Sequence, residues 1–143
     1  MGTRSTIAMR EENGYIGIGC HWDGYPSNNG KILLENYMDV AKVKALMALG
    51  DISSLKPEVA PSEGVAHSFD SPAVGVTVAY MRDRKETGCE ARECATVGEI
   101  ADRCDWPEYV YVFENGAWTY SSWRGGSKGV AYVGKPVTPE DCI

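Results

Sequence analysis

Seven consecutive residues, Cys20-His21-Trp22-Asp23-Gly24-Tyr25-Pro26, bring a thiol, an imidazole, an indole, a carboxylate and a phenol into one short stretch. The faces of Trp22 and Tyr25 can stack a nucleobase or a similar planar ring. Asp23 can accept hydrogen bonds from the exocyclic or hydroxyl donors of such a molecule, and His21 can add a further polar contact. Binding residues concentrate on loops carried by a rigid scaffold. The structural alternative is a turn built on Asp23-Gly24 whose aromatic side chains fold back onto the core.

A second group lies at the end of an apolar run. If Val74 to Met81 is a strand, its alternation puts Val76, Val78, Tyr80, Arg82 and Arg84 on one face. Arg82 and Arg84 could then fork onto a phosphate or a carboxylate beside the Tyr80 ring. The alternative is a solvated salt-bridge cluster with Asp83 and Glu86, the ordinary fate of a charged run and the favoured reading for at least one of the two arginines. A third group is His67-Ser68-Phe69-Asp70. Together with Cys20-His21 it offers the residue types of nucleophilic or acid–base catalysis. No nucleophile elbow frames them. Gly17-Ile18-Gly19 and Gly125-Gly126-Ser127 are too short to be phosphate-loop fingerprints.

The five cysteines are Cys20, Cys89, Cys94, Cys104 and Cys142. Their number is odd, and no two of them form the C-x-x-C pair of zinc sites and redox motifs. A zinc knot of Cys89, Cys94 and Cys104 with His21 or His67 would depart from the usual ligand spacings, so reduced thiols are expected, with no metal and no cofactor.

Elements that position these groups can be read along the chain. Ser5 to Met9 and Tyr15 to Cys20 read as strands of a hairpin, joined through Asn13-Gly14 in an expected type I′ turn. His21 to Asn29 reads as an irregular loop. A helix is expected from Gly30 to Met38, with Ile32, Leu33, Leu34 and Tyr37 apolar. A second begins after Asp39 as N-cap, carries Val40, Val43, Leu46, Met47 and Leu49, and stops at Gly50. Asp51 to Ser71 is a long irregular segment. Val74 to Met81, β-branched and apolar, reads as a central strand. Thr96 and Glu99 match a capping box for a helix to about Cys104. Glu108 to Glu114 reads as a strand with Tyr109, Tyr111 and Phe113 on one face and Val110 and Val112 on the other. Asn115-Gly116 turns it back into Ala117 to Ser122, where Trp118 and Tyr120 share a face that core packing would bury. Val130 to Val133 closes the series. The expected fold is α+β, one domain over residues 1–143, with a mixed, largely antiparallel sheet of about six strands and about three helices in the order ββααβαβββ.

The chain of 143 residues is long enough to bury a core without metal or disulfide. Its net charge of −6 argues against a protein that wraps DNA or RNA by neutralising phosphates. No apolar run approaches a membrane span. Gly2 and Thr6 satisfy the N-myristoylation pattern, but Ile7 and Ala8 read as the interior of a buried strand, so no membrane anchor is expected. The first residues lack the apolar core of a signal peptide, which points to the cytoplasm.

Met1-Gly2-Thr3-Arg4-Ser5-Thr6-Ile7-Ala8, His21-Trp22-Asp23-Gly24-Tyr25-Pro26-Ser27, His67-Ser68-Phe69-Asp70 and Gly75-Val76-Thr77-Val78-Ala79-Tyr80 with Arg82-Asp83-Arg84 together resemble a family of small proteins encoded by tailed bacteriophages and prophages. The resemblance implies an accessory protein acting in the host bacterial cytoplasm, in a setting where such proteins counter host defence. The expected function is to bind and sequester a nucleotide-type small molecule without catalysis. Trp22 and Tyr25 would stack, His21 and Asp23 would make polar contacts, Arg82 and Arg84 would hold phosphate, and His67 and Tyr80 would complete the site. One alternative is a nucleotide phosphodiesterase or hydrolase using His21, His67 and carboxylates as acid and base. Another is an inhibitor or adaptor that binds a host protein, through Trp118, Tyr120 and Trp123. A homo-oligomer with its pocket at a symmetric interface is compatible with either binding reading.

Overall fold

The computed structural model describes residues 2–104, 107–123 and 132–142. The fold is α+β: an open, mostly antiparallel sheet of eight strands, with four α-helices among the described residues. Strands β1 (Ser5–Glu11) and β2 (Gly14–Cys20) form the first hairpin, with Ser5 opposite Cys20 and Glu11 opposite Gly14. Strands β6 (Tyr109–Glu114) and β7 (Ala117–Ser122) form the second, and β6 joins β1 in parallel. Four shorter strands extend the sheet: β3 (Ile52–Ser54), β4 (Val78–Ala79), β5 (Arg92–Cys94) and β8 (Lys135–Pro136). The order is β4-β3-β2-β1-β6-β7-β8, with β5 paired to β2 beyond β3.

Alternation along the central strands buries both faces. Ile7 and Met9 of β1 and Tyr111 and Phe113 of β6 enter one core, beneath α1 (Lys31–Asn36) and α2 (Val40–Ala48). Ala8, Val110 and Val112 enter a second core, beneath α4 (Val97–Arg103), whose Val97, Ile100 and Ala101 face it. The predicted faces of β6 are therefore the observed ones. Trp118 and Tyr120 are buried in the first core and Trp123 in the second, which is ordinary packing rather than a docking surface.

Local signals match where backbone chemistry dictates them. The Asp39 carboxylate accepts from the Ala41 N–H at 2.9 Å, capping α2, and Gly50 ends it with φ +74°. The Thr96 hydroxyl accepts from the Glu99 N–H at 3.2 Å and donates to the Glu99 carboxylate, a variant of the expected box. Asn115 and Gly116 both take positive φ, the requirement of a type I′ turn. At the first hairpin the turn residues are instead Glu12 and Asn13, neither of them left-handed, so the expected type I′ turn is corrected there.

Three further expectations need correction. The first helix runs Lys31–Asn36, entered through a π-helical turn over Pro26–Gly30, so half of the expected loop is helical. Pro26 at its first position is pre-set for helical φ and has no N–H to leave unpaired. Val74 to Met81 is not a central strand. Gly75 is left-handed at φ +75°, Val76 makes only an isolated parallel bridge to Glu58, and the one strand in the run, Val78–Ala79, lies at the sheet's edge. The buried middle of the run is bonded to the preceding segment: Gly75 O and the Thr77 N–H pair with Glu58, and the buried Thr77 hydroxyl accepts from the Lys56 N–H and donates to the Lys56 carbonyl. Tyr80–Arg84 then forms a short helix, α3. In the expected last strand, residues 130–131 lie outside the described residues, as does Gly125-Gly126-Ser127; Tyr132 and Val133 are not in a strand, and β8 pairs with β7 instead. Among the described residues no helix is long and apolar enough to cross a membrane.

The burial of α2 is one-sided: Leu46 is fully buried whereas Val40, apolar and at the start of the same helix, is half-exposed. Leu46→Ala is expected to cost about 2–5 kcal/mol and Val40→Ala to stay within about 0.5 kcal/mol, as urea denaturation of the two variants would measure.

Candidate functional site

The candidate loop leaves the sheet with its backbone already fixed. His21 N–H donates to Ile52 O at 3.1 Å and Trp22 N–H to Ser53 O at 3.0 Å, continuing the parallel β2–β3 ladder past the end of β2. Asp51 braces the same end. Its carboxylate accepts from the Gly19 N–H at 2.8 Å and takes a bidentate pair from Arg92, at 2.5 and 2.9 Å. That bonding pushes the Arg92 pKa further up, against the opposing effect of burial.

Beyond Trp22 the chain reverses. Asp23 is left-handed at φ +56° and Gly24 tucks under the N-terminal strand. A Cβ on Gly24 would lie 2.7 Å from Ser5 Cβ and 2.9 Å from Thr3 O, so no larger residue fits without displacement. The Gly24 N–H donates to Thr3 O at 2.8 Å, the buried Tyr111 hydroxyl donates to Gly24 O at 2.6 Å, and Asn28 Nδ2 donates to Asp23 O at 3.1 Å. Buried Asn29 ties the loop to β1 and β2 through Ser5 Oγ and Cys20 Sγ. Burial raises the Cys20 thiol to a pKa of about 11, so it is an interior group.

With the backbone held, the side chains divide. Trp22 and Tyr25 are 44% and 39% exposed. Trp22 stacks on His21 with ring centres 4.6 Å apart and planes 15° apart, and Gly2 lies so close to the indole that a Cβ there would overlap it. Tyr25 Oη donates to Asp23 Oδ1 at 3.3 Å, and the nearby Asp23 charge raises the Tyr25 pKa.

His21 Nδ1 lies 3.1 Å from the Tyr80 hydroxyl, which carries the array across to α3. Burial raises the Tyr80 pKa above its ordinary value. Arg84, one helical turn after Tyr80, lies over its ring at 5.1 Å and over Phe69 at 4.4 Å. The result is a contiguous series: Trp22, His21, Tyr80, Arg84, Phe69. The Arg84 fork also meets Glu86, the salt bridge anticipated as the structural alternative.

Arg82 points the other way. Its Nε and Nη2 donate to the Asp83 carboxylate at 2.8 and 3.0 Å, Nη2 to Thr77 O at 2.7 Å and Nη1 to Val59 O at 2.6 Å. His67 joins beneath. Its Nδ1 accepts from the Ala73 N–H at 2.9 Å, which assigns the ring proton to Nε2, and Nε2 donates to Asp83 Oδ2 at 3.0 Å. The side chains of His67 and Asp83 are each 4% exposed. Burial by itself would raise the Asp83 pKa, but the hydrogen bonds from Arg82, from the Ala79 N–H and from His67 outweigh it and hold the carboxyl at about 2.

Of the sequence-derived residues, His21, Trp22, Tyr80 and Arg84 are thus brought together. Asp23 and Tyr25 pair with each other on the adjoining turn. His67 and Arg82 belong to a buried lock, in which both ring nitrogens of His67 are engaged. Phe69, which the sequence offers only within the His67–Asp70 motif, joins the array without being a sequence candidate for the site. Among the described residues no group of three or more His, Cys, Asp or Glu is placed to hold a metal.

The lock has a pH signature. The folded Asp83 pKa of about 2 is below the ordinary 3.8, so its ionisation contributes stability above about pH 4, lost as the pH falls toward 2. The stability gap between wild type and Asp83→Asn in urea is therefore expected to narrow on acidification from pH 5 to pH 2. A gap that stays constant would mean that the carboxylate is not held ionised by this network.

Comparison with protein-family models, with curated proteins and with solved structures finds no match to this chain.

Proposed function

We propose that this chain binds a nucleotide-type small molecule on the Trp22–His21–Tyr80–Arg84 array and holds it without turnover, as a phage accessory protein that sequesters a host defence signal in the bacterial cytoplasm. The observation that carries the reading is the half-exposed indole of Trp22. It is stacked on His21, closely approached by Gly2, and connected through His21 and Tyr80 to a guanidinium. A partly exposed ring already held by neighbours is prepared to stack a base, because little of its freedom remains to be lost. Tyr25 and Asp23 flank it as a second ring and a polar acceptor.

The division of roles among the arginines follows their partners. Arg82 has four short bonds to the chain around it, so phosphate contact falls to Arg84. His67 likewise serves the lock. The hydrolase alternative needs two histidines with a nitrogen available to substrate, and the engaged His67 supports it less than it supports a binder. The net charge of −6 disfavours bulk nucleic acid as the ligand.

The decisive experiment is to purify the chain from cells with an active nucleotide-signalling defence system, heat-denature it and examine the supernatant by mass spectrometry. An intact nucleotide is the expected release. Trp22→Ala is then expected to weaken binding of that nucleotide by about 1–3 kcal/mol, the usual worth of one stacked base. An empty supernatant with the signal still present in the lysate would remove the sequestration reading for that signal and direct attention to a protein partner. An empty supernatant with the signal degraded would point to the hydrolase.

A further inference from the structure

Three arginines near the array pair with carboxylates, and the three pairs differ in kind. Arg92 sits bidentate on Asp51, with both side chains about four-fifths buried. Arg82 is fixed on the buried Asp83 and on two carbonyls. Arg84 meets Glu86 at the surface, its side chain 51% exposed. Its Nε and Nη2 both turn to one oxygen, Oε2 of Glu86.

Two features set this third pair apart from an ordinary surface contact. The guanidinium lies over both the Phe69 and Tyr80 rings, 4.4 and 5.1 Å from their centres, and the two rings touch each other beneath it with centres 5.6 Å apart. Glu86, in turn, is placed by backbone geometry. Lys85 ends α3 in the left-handed conformation at φ +57°, and the Glu86 N–H donates to Tyr80 O at 3.2 Å, which returns the carboxylate to Arg84. The chain thus presents an oriented fork to solvent and supplies its own anion to it.

We propose that the Arg84 guanidinium is an anion site for a phosphate group, and that the Glu86 carboxylate is its built-in occupant, displaced when phosphate arrives. The proposal deepens the nucleotide reading because it uses the same array, yet it requires only the phosphate and not the ring. A planar guanidinium matches phosphate bidentately. The ring contacts orient it beforehand, which lowers the ordering cost of each new bond. An exposed ion pair is weak, so Glu86 is displaced at small cost and swings its charge into water. Phosphate offers more charge and more acceptor oxygens to the same fork than the single carboxylate oxygen it replaces.

Arg10 provides an internal control. It too is half-exposed, lies over one ring, Tyr15, at 5.0 Å, and pairs with Glu114 at 3.4 Å. There the Tyr15 hydroxyl also donates to Glu114, and no second ring flanks the guanidinium among the described residues.

The test is a titration of the full chain with inorganic pyrophosphate at constant ionic strength, read from the arginine Nε–H signals in 1H–15N spectra, with Arg84 assigned by its loss in Arg84→Lys. The Arg84 signal is expected to move and saturate while that of Arg10 does not. In Glu86→Gln, half-saturation is expected at about two- to fivefold lower pyrophosphate, the worth of removing a weak exposed pair. Arg84 and Arg10 signals that drift alike, or a midpoint unchanged in Glu86→Gln, would overturn the proposal. Saturable binding at Arg84 in a protein that releases no nucleotide on heating would keep the anion site and remove the nucleotide reading. A released nucleotide with a silent Arg84 would do the reverse.

Discussion

The Asp83 carboxylate gathers hydrogen bonds from three parts of the chain. The Ala79 N–H comes from the edge strand, the Arg82 guanidinium from the helix that follows it, and the His67 imidazole from the long segment before them. A buried carboxylate is costly unless it is paired and its lone pairs are filled. Here they are filled, and that requirement fixes the geometry around it. Arg82 reaches on to Val59 O and Thr77 O, and His67 accepts from the Ala73 N–H, so the segment between β3 and β4 is closed onto α3 at several points. Phe69 lies within that segment. Its position against Tyr80 and Arg84 is a consequence of the lock, and the array that faces solvent rests on charges that do not.

Much of this fold is legible in the sequence because local chemistry specifies it. Asp39, Gly50, Thr96 with Glu99, and Asn115-Gly116 each answer a backbone need that no tertiary contact has to supply. The alternation of Tyr109–Glu114 is legible for a related reason: both faces are buried, and a slip of one residue would exchange them. What the sequence does not show is the fate of Val74–Arg84. A run of β-branched residues marks burial, and burial against a loop looks the same as burial in a sheet. Reading it as a strand placed Arg82 and Arg84 on one face. In the helix they separate, Arg84 falling over Tyr80 and Arg82 turning toward the lock.

The site candidates divide along the same line. In the His21–Tyr25 stretch Trp22 and Tyr25 stay partly exposed, because Asp23-Gly24 turns the chain and the loop backbone is tied down by Tyr111, Asn28 and Thr3. The pairing of His21 with Tyr80 depends on the β2–β3–β4 order, and no spacing in the sequence encodes that order. Phe69 is harder still to foresee, since its partners are fixed only after His67 and Arg82 have found Asp83. Long-range polar closure is where sequence patterns carry least information, because the same Arg, Asp and His residues serve equally well as a solvated surface cluster.

The acidic character of the chain constrains how any anionic ligand could be held. A net charge of −6 gives a field that opposes approach, and at physiological salt that field is screened over about 8 Å. Affinity must therefore come from contacts inside that distance, where shape and hydrogen-bond direction decide more than total charge. The array has this character: an indole stacked on an imidazole, a phenol hydrogen-bonded to that imidazole, and one guanidinium lying over two rings. Such a surface gains little from a polyanion, whose many remaining phosphates would meet the acidic exterior. The ligand proposed above, small and with one flat ring and few charges, would meet less of that opposition. On the proposed reading, the same acidity that disfavours nucleic acid as a whole would act as a selectivity element for the small molecule.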